Sequence, residues 1–169
     1  MSTPVAIRPA TAKDGDAIWR VLEPVIRAGE TYPLPRDWSK TQALDYWRAP
    51  AHEVFVAQDG NQQDNGKIIG TYYLRANNQG GGAHVANCGY MVAAEAQGRG
   101  VARAMCEHSL SHAKARGFRA MQFNFVIATN ERAVKLWQSC GFEILACLPG
   151  VFAHPRLGDA DALVMFRTL

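Results

Sequence analysis

Tyr90-Met91-Val92-Ala93-Ala94-Glu95-Ala96 leads into Gln97-Gly98-Arg99-Gly100-Val101-Ala102-Arg103, and then into an amphipathic run that stops at Gly117. An apolar strand gives way to a loop with two glycines and two arginines, and that loop opens straight into a helix. The first amides of a helix have no intrahelical acceptor, the helix dipole favours negative charge there, and glycine lets an anion approach without meeting a Cβ. Arg99 and Arg103 add positive charge. The stretch is therefore a candidate phosphate cradle, although glycines at such a corner also serve merely to relieve crowding. Two nucleotide loops are excluded: no Gly-Lys-Ser/Thr follows for a P-loop, and no third glycine completes Gly98-Arg99-Gly100 as a dinucleotide turn.

Upstream of the cradle the pattern is strands. Residues 84–92, 67–75 and 53–57 are apolar runs separated by a turn at Asp59-Gly60 with a polar tip through Gly66, and by a glycine- and asparagine-rich tip at 77–82. Val5-Ala6-Ile7-Arg8 alternates like a first strand, and Thr11 with Asp14 forms a capping box for a helix carrying Ile18, Val21, Leu22, Val25 and Ile26 on one face. Pro24 predicts a kink or an end near Glu23. Residues 28–38 hold two prolines, a tyrosine and a tryptophan, which read either as a loop tucked onto the core or as a substrate wall. A short helix should follow, turning Leu44 and Trp47 inward.

Downstream, Ala102, Met105, Cys106, Ser109 and Ala113 share the buried face of the helix. His108 and His112 fall on another side near Arg116, and without a third ligand the pair reads as solvent-exposed. Residues 120–127 form the next strand, Asn130 caps a helix that runs to Cys140 and Gly141, and 142–148 form another strand. Pro149 lacks the amide of a central strand, so the spacing predicts a loop through Gly158 and a last strand over 161–169.

One domain over residues 1–169 accommodates all of this, with no repeat or linker. The 48% apolar and 20% charged content is that of a globular chain, and a net charge of +3 suits anionic small molecules while arguing against nucleic acid. No apolar run is long enough for a membrane span and the first eight residues lack a signal-peptide core, so a cytoplasmic location is expected. Cys88, Cys106, Cys140 and Cys147 have no C-x-x-C spacing and read as buried reduced thiols, and no metal site is expected.

The order of elements, strand, two helices, three antiparallel strands, helix, strand, helix, two strands, suits an α+β sheet with helices packed on it. Gln97-x-x-Gly100-x-Ala102 resembles the acyl-CoA signature of the GNAT superfamily of N-acetyltransferases, and Asn130-x-x-Ala133-x-x-Leu136-Trp137-x-x-x-Gly141-Phe142 is similar to its second signature. The resemblance implies a mostly antiparallel sheet of about seven strands, helices on both faces, and a splayed parallel pair formed by the strands at 84–92 and 120–127. Acetyl-CoA would be the co-substrate. Its pantetheine arm would bond to backbone groups freed in the splay, supplied by Met91 and Val92. Gln97, Gly98, Arg99, Gly100, Val101, Ala102 and Arg103 would hold the pyrophosphate, with Asn130, Ala133 and Trp137 beside the coenzyme.

Amine acylation needs a neutral amine, a stabilised oxyanion and a proton for the leaving thiolate. Ungapped alignment of the motifs puts Ala86 where many relatives carry a glutamate base and Trp137 where they carry a tyrosine acid. Asn87 and Asn124 are the polar residues left beside the splay, as donors or orienting groups. Val85-Ala86-Asn87-Cys88-Gly89-Tyr90, Phe123-Asn124-Phe125-Val126 and Gly29-Glu30-Thr31-Tyr32-Pro33 look like the azetidine-2-carboxylate/proline-analogue N-acetyltransferases, which implies a small amino acid as acceptor, bound near Glu30, Thr31 and Tyr32. His154 is a reserve base or substrate contact, with plain exposure as its alternative. Cys88 is a weak candidate nucleophile. Direct transfer to a small amine is favoured; a non-catalytic acyl-CoA-binding module and a protein N-terminal or lysine acetyltransferase remain the competing readings. The family also makes a homodimer an expectation.

Overall fold

The computed structural model describes residues 5–60 and 66–169, so most of the expected hairpin tip before Gly66 lies outside the described residues. Seven strands form one sheet in the order β1-β2-β3-β4-β5-β7-β6. They are β1 (Val5–Pro9), β2 (Glu53–Asp59), β3 (Ile68–Ala76), β4 (Val85–Val92), β5 (Ala120–Ile127), β6 (Glu143–His154) and β7 (Gly158–Thr168). Every pairing is antiparallel except β4 with β5. Four helices complete the fold: α1 (Gly15–Ala28), α2 (Lys40–Trp47), α3 (Val101–Ala115) and α4 (Glu131–Ser139).

Strand alternation puts helices on both faces. On β3, Tyr72 points to α3, where its hydroxyl meets His108 Nδ1 at 2.7 Å, whereas Tyr73 points the other way and packs edge-on against Trp47 of α2 at 4.9 Å. Trp47 is 1% exposed and donates from Nε1 to Thr71 Oγ1, which in turn donates to the Phe55 carbonyl. That chain pins α2 and the loop before it to the sheet.

Four expectations are corrected. The early end of α1 near Glu23 is not seen: the helix runs through Pro24 to Ala28, because Val21, Leu22 and Ile26 are buried on both sides of the proline and their packing outweighs one lost helical hydrogen bond. β6 does not stop at Pro149 but continues to His154. It is an edge strand, where the missing amide costs little, and a register shift between Leu148 and Phe152 absorbs the proline as a bulge. His108 and His112 are partly buried rather than free: His108 meets Tyr72, and His112 Nε2 lies 2.8 Å from Glu53, which Arg116 also contacts. Of the four cysteines, three are buried free thiols and Cys147 is exposed on β6, again against expectation.

Gly89 on β4 has no room for a side chain, since a Cβ there would sit 2.6 Å from Tyr73 Cε1 and 2.8 Å from Cζ. Tyr73 is itself stacked on His52 at 4.2 Å and cannot swing aside. Gly89→Ala is therefore expected to destabilise the fold by about 1–3 kcal/mol, read as a lowered urea midpoint with an unchanged slope.

Candidate active site: a fork between two parallel strands

β4 and β5 pair only at Val85 with Ala120 and Ala86 with Met121; beyond these residues the two strands part. The consequence for β4 follows from its other neighbour. In an antiparallel ladder, residues alternate between exchanging both hydrogen bonds with the facing strand and exchanging none. Ala93 N donates to Ile69 O and Asn77 N donates to Val85 O, so the odd-numbered residues of β4 spend their backbone on the β3 side. The even-numbered residues, Cys88, Tyr90 and Val92, aim theirs into the fork. Met91, expected to serve the fork, therefore faces its backbone to Thr71, and Tyr90 takes that place beside Val92.

The groups of Tyr90 are already engaged. Tyr32 Oη accepts from Tyr90 N at 2.6 Å and donates to Tyr90 O at 2.9 Å, so one hydroxyl from the loop after α1 satisfies both ladder groups. The loop carrying Tyr32 is clasped by Arg27 and Arg36, which each donate to the other's carbonyl oxygen, and the Tyr32 ring lies edge-on to Trp47 at 6.3 Å. Part of the ring meets solvent, but its hydroxyl is enclosed, and desolvation holds its pKa well above that of a free phenol.

Asn87 stands one residue beyond the last ladder pair and bridges the crotch of the fork. Its Nδ2 donates to Gln122 O at 3.0 Å and its Oδ1 accepts from Arg75 Nε at 3.2 Å. Asn124 lies on β5 at a register shift against β7, between Phe123 and Val126; its Nδ2 donates to Asn77 Oδ1 at 2.7 Å and its Oδ1 accepts from Gln122 Nε2 at 2.9 Å. The two amides share one polar network, in which Arg75, Asn77 and Gln122 were not foreseen. Gln122 and Asn124 interrupting an apolar strand was the available signal. Trp137 is 8% exposed and packs on Tyr90 at 5.0 Å and on Phe123 at 5.2 Å, forming a floor beneath the fork. Burial pushes the Cys88 thiol up to about 12, which makes it a poor nucleophile.

The cradle follows directly. A single 3-10 turn, Ala94–Ala96, sends the chain through Gly98 and Gly100, with φ of 79° and 78°, into the first turn of α3. Ala104 N takes the Gly100 carbonyl as the first helical bond, leaving the amides of Val101, Ala102 and Arg103 without intrahelical acceptors. Nothing lies within 4 Å of where a Gly100 Cβ would be, so the cradle is open to an anion. Gln97 is exposed at its rim. Arg99 pairs with Asp59 at 2.8 Å and Arg103 donates to Ser139 Oγ at 2.8 Å, so both arginines brace the loop as well as charging it. Arg132 was not anticipated, yet its Nη2 sits 3.3 Å from the Cβ position of Gly98. Asn130 caps α4 by accepting from Ala133 N through Oδ1, and its NH2 is what remains for a ligand.

Glu30, Thr31, Thr129, Asn130, His154, Arg156 and Leu157 line an open cleft of about 210 Å³. Arg156 Nη2 meets Glu30 Oε1 at 2.7 Å, with the arginine largely exposed to solvent. His154 is buried, not an exposed loop residue, because β6 extends to include it. Its Nδ1 accepts from the amides of Arg156 and Leu157, both at 3.2 Å, which fixes the proton on Nε2. With Nδ1 so occupied, His154 can donate into the cleft but cannot act as its base. Among the described residues, no group of three His, Cys, Asp or Glu side chains is placed to hold a metal ion, and no helix is long and apolar enough to cross a membrane.

Comparison with known proteins places this geometry. A GCN5-related N-acetyltransferase from Kribbella flavida superposes with a TM-score of 0.91 at 40% identity, over 98% of each chain. Two proteins solved with acetyl-CoA share the fold at 20% identity. The phosphinothricin acetyltransferase of Sinorhizobium meliloti has a TM-score of 0.83 over 100% of this chain and 89% of that one. The Salmonella typhimurium protein yncA has a TM-score of 0.82 over 98% and 94%. Among curated proteins, N-acetyltransferase aca1 of Schizosaccharomyces pombe is 25% identical over 131 residues, 69% of this chain, and the chain spans 61% of that relative's length. The sequence profile described as the acetyltransferase (GNAT) family matches residues 18–142, which take in α1, the fork, the cradle and α4. The chain thus belongs to the GNAT family of acyl-CoA-dependent N-acetyltransferases.

Proposed function

We propose that residues 1–169 form one catalytic unit that moves an acetyl group from acetyl-CoA directly to the amino group of a small molecule, an amino acid or amino-acid analogue. The observation that carries this reading is the fork itself, with Tyr90 and Val92 backbone groups aimed into it, beside a glycine cradle at the start of α3. The geometry fits acetyl-CoA. An extended arm can bond to Val92 and Tyr90 like an added strand, and the pyrophosphate can take the amides of Gly98 and of residues 100–103, with Gln97, Arg99, Arg103 and Arg132 at the rim and Asn130, Ala133 and Trp137 alongside. When bound, the coenzyme supplies an activated acyl carbonyl.

The cleft favours an acceptor that carries both charges. Glu30 offers a carboxylate to an ammonium, Arg156 and the His154 Nε2–H offer donors to a carboxylate, and Thr31 lies between. Two of the solved relatives are named for a small acceptor, phosphinothricin, and the sequence resemblance to proline-analogue N-acetyltransferases points to the same size of molecule. Asn124 would orient the attacking nitrogen through its carbonyl oxygen, while Asn87 would keep the fork at its width. Cytoplasmic work on metabolite-sized amines is consistent with this.

A homodimer is also part of the proposal. β6 is an edge strand exposed on both faces over residues 143–147, and Ile144, Leu145 and Val151 are 41%, 59% and 48% exposed. A bare apolar edge of that kind invites a second copy. Sedimentation should give twice the chain mass, reverting to the monomer on Leu145→Glu; a wild-type monomer would refute it.

Titration calorimetry should detect acetyl-CoA binding to the wild-type protein, and a thiol-release screen of amino acids and their analogues should find turnover. Gly100→Ala forces an alanine into left-handed backbone, at about 1–2 kcal/mol, and puts a methyl in the cradle, so acetyl-CoA affinity should fall by at least about tenfold. No heat of binding for the wild type would reject the whole reading. Asn124→Ala should lower kcat by roughly 100-fold while leaving coenzyme affinity intact, and unchanged turnover would remove Asn124 from the mechanism.

A further inference from the structure

The Tyr32 hydroxyl sits at the reacting end of the fork, and substrate contact alone does not account for its position. Ladder groups at a strand divergence need partners, and here a side chain 58 residues away satisfies the N–H and the C=O of Tyr90 together. Resting on the acetyl-transfer reading above, we propose that Tyr32 is a catalytic residue: its hydroxyl and the Tyr90 N–H, hydrogen-bonded to each other in this structure, are the two donors that converge on the thioester oxygen as it becomes negative.

The chemistry of the three groups supports it. A thioester oxygen can only accept, so it competes with Tyr32 Oη for the Tyr90 N–H but has no use for the Tyr90 carbonyl. Once it takes the N–H, the Tyr32 proton has two acceptors in reach, the Tyr90 carbonyl and the new oxygen. Charge growing on that oxygen makes it the stronger acceptor, and the hydroxyl turns to it. The ring need not travel, because Trp47 holds it and is itself bonded to Thr71.

The surroundings leave this task open. Ala86 has no polar side chain, the Trp137 indole is packed against Tyr90 and Phe123, and Asn87 is committed to Arg75 and Gln122. Enclosure keeps the Tyr32 phenol protonated at working pH, which suits a hydrogen-bond donor and not an acid. In the balanced step, the amine nitrogen bonds to the carbonyl carbon, the carbon–sulfur bond breaks, and the proton shed by the nitrogen ends on the coenzyme sulfur. Tyr32 keeps its own proton throughout.

Tyr32→Phe keeps the ring and deletes the donor. We expect kcat to fall by roughly 100-fold or more, with acetyl-CoA affinity by calorimetry unchanged or tighter, since the competitor for the Tyr90 N–H is gone. A kcat within about threefold of wild type, or an affinity that falls in step with kcat, would overturn the proposal by making the hydroxyl a structural clasp. A second arm needs no variant: a crystal structure of the wild type with the acetonyl thioether analogue of acetyl-CoA, whose carbonyl cannot be transferred. Tyr32 Oη and Tyr90 N should both lie within hydrogen-bond distance of that carbonyl oxygen. A Tyr32 still seated on Tyr90, or swung away, would overturn it. Wild-type protein that fails to bind the analogue would reject the acetyl-transfer reading as well, whereas normal wild-type turnover with an unimpaired Tyr32→Phe rejects the inference alone.

Discussion

A backbone amide or carbonyl shut away from water must find a partner, and leaving one without costs on the order of 1–3 kcal/mol. The site depends on that constraint. Two parallel strands that stay together for two residue pairs and then part leave a row of such groups on each side. The protein answers with side chains: the Asn87 amide reaches across the crotch to the Gln122 carbonyl, and the Tyr32 hydroxyl serves both groups of Tyr90. Among the described residues, no buried side-chain nitrogen or oxygen lacks a partner. The fork is held open by satisfied polar contacts, and its bonding capacity is available to a ligand able to exchange for them.

The cradle was legible because its physics is local. Two glycines, adopting positive φ, and a helix start can be read in ten consecutive residues, as can the Asn130 cap and the Gly141 stop of α4. Strands were legible through their alternation. What escaped was decided by distant partners. Pro24 and Pro149 are ordinary breakers by sequence, and are tolerated only because of burial around the first and an edge position for the second. His108 and His112 acquire Tyr72 and Glu53 from other elements.

The backbone direction of Met91 was illegible for a different reason. Which parity of β4 faces the fork is set by its register with β3, and register is fixed by pairing that no single strand records. The identity of the Tyr90 partner is harder still, since the loop holding Tyr32 is attached to the sheet through Trp47. Arg132 illustrates the same limit: nothing in the sequence around it on α4 tells that the turn at Gly98, more than thirty residues earlier, lies against its guanidinium. Residue types pointed to a coenzyme site, whereas which backbone groups of β4 face the fork depends on the assembled sheet.

The join between β4 and β5 has a mechanical reading. β1 to β4 form one leaf and β5 to β7 another, and the spine between them is two residue pairs long, with side-chain stitches from Asn87 to the Gln122 carbonyl and from Asn124 to Asn77. A spine so short resists shear along the strands but offers little stiffness against changing the angle between the leaves. At the open end two side chains bear on the gap: the Trp137 indole, packed on the Tyr90 ring, and the Tyr32 phenol, bonded to the Tyr90 backbone. In the acetyl-transfer reading proposed above, the girth of those two rings, more than the ladder, would bound the acyl groups the gap admits.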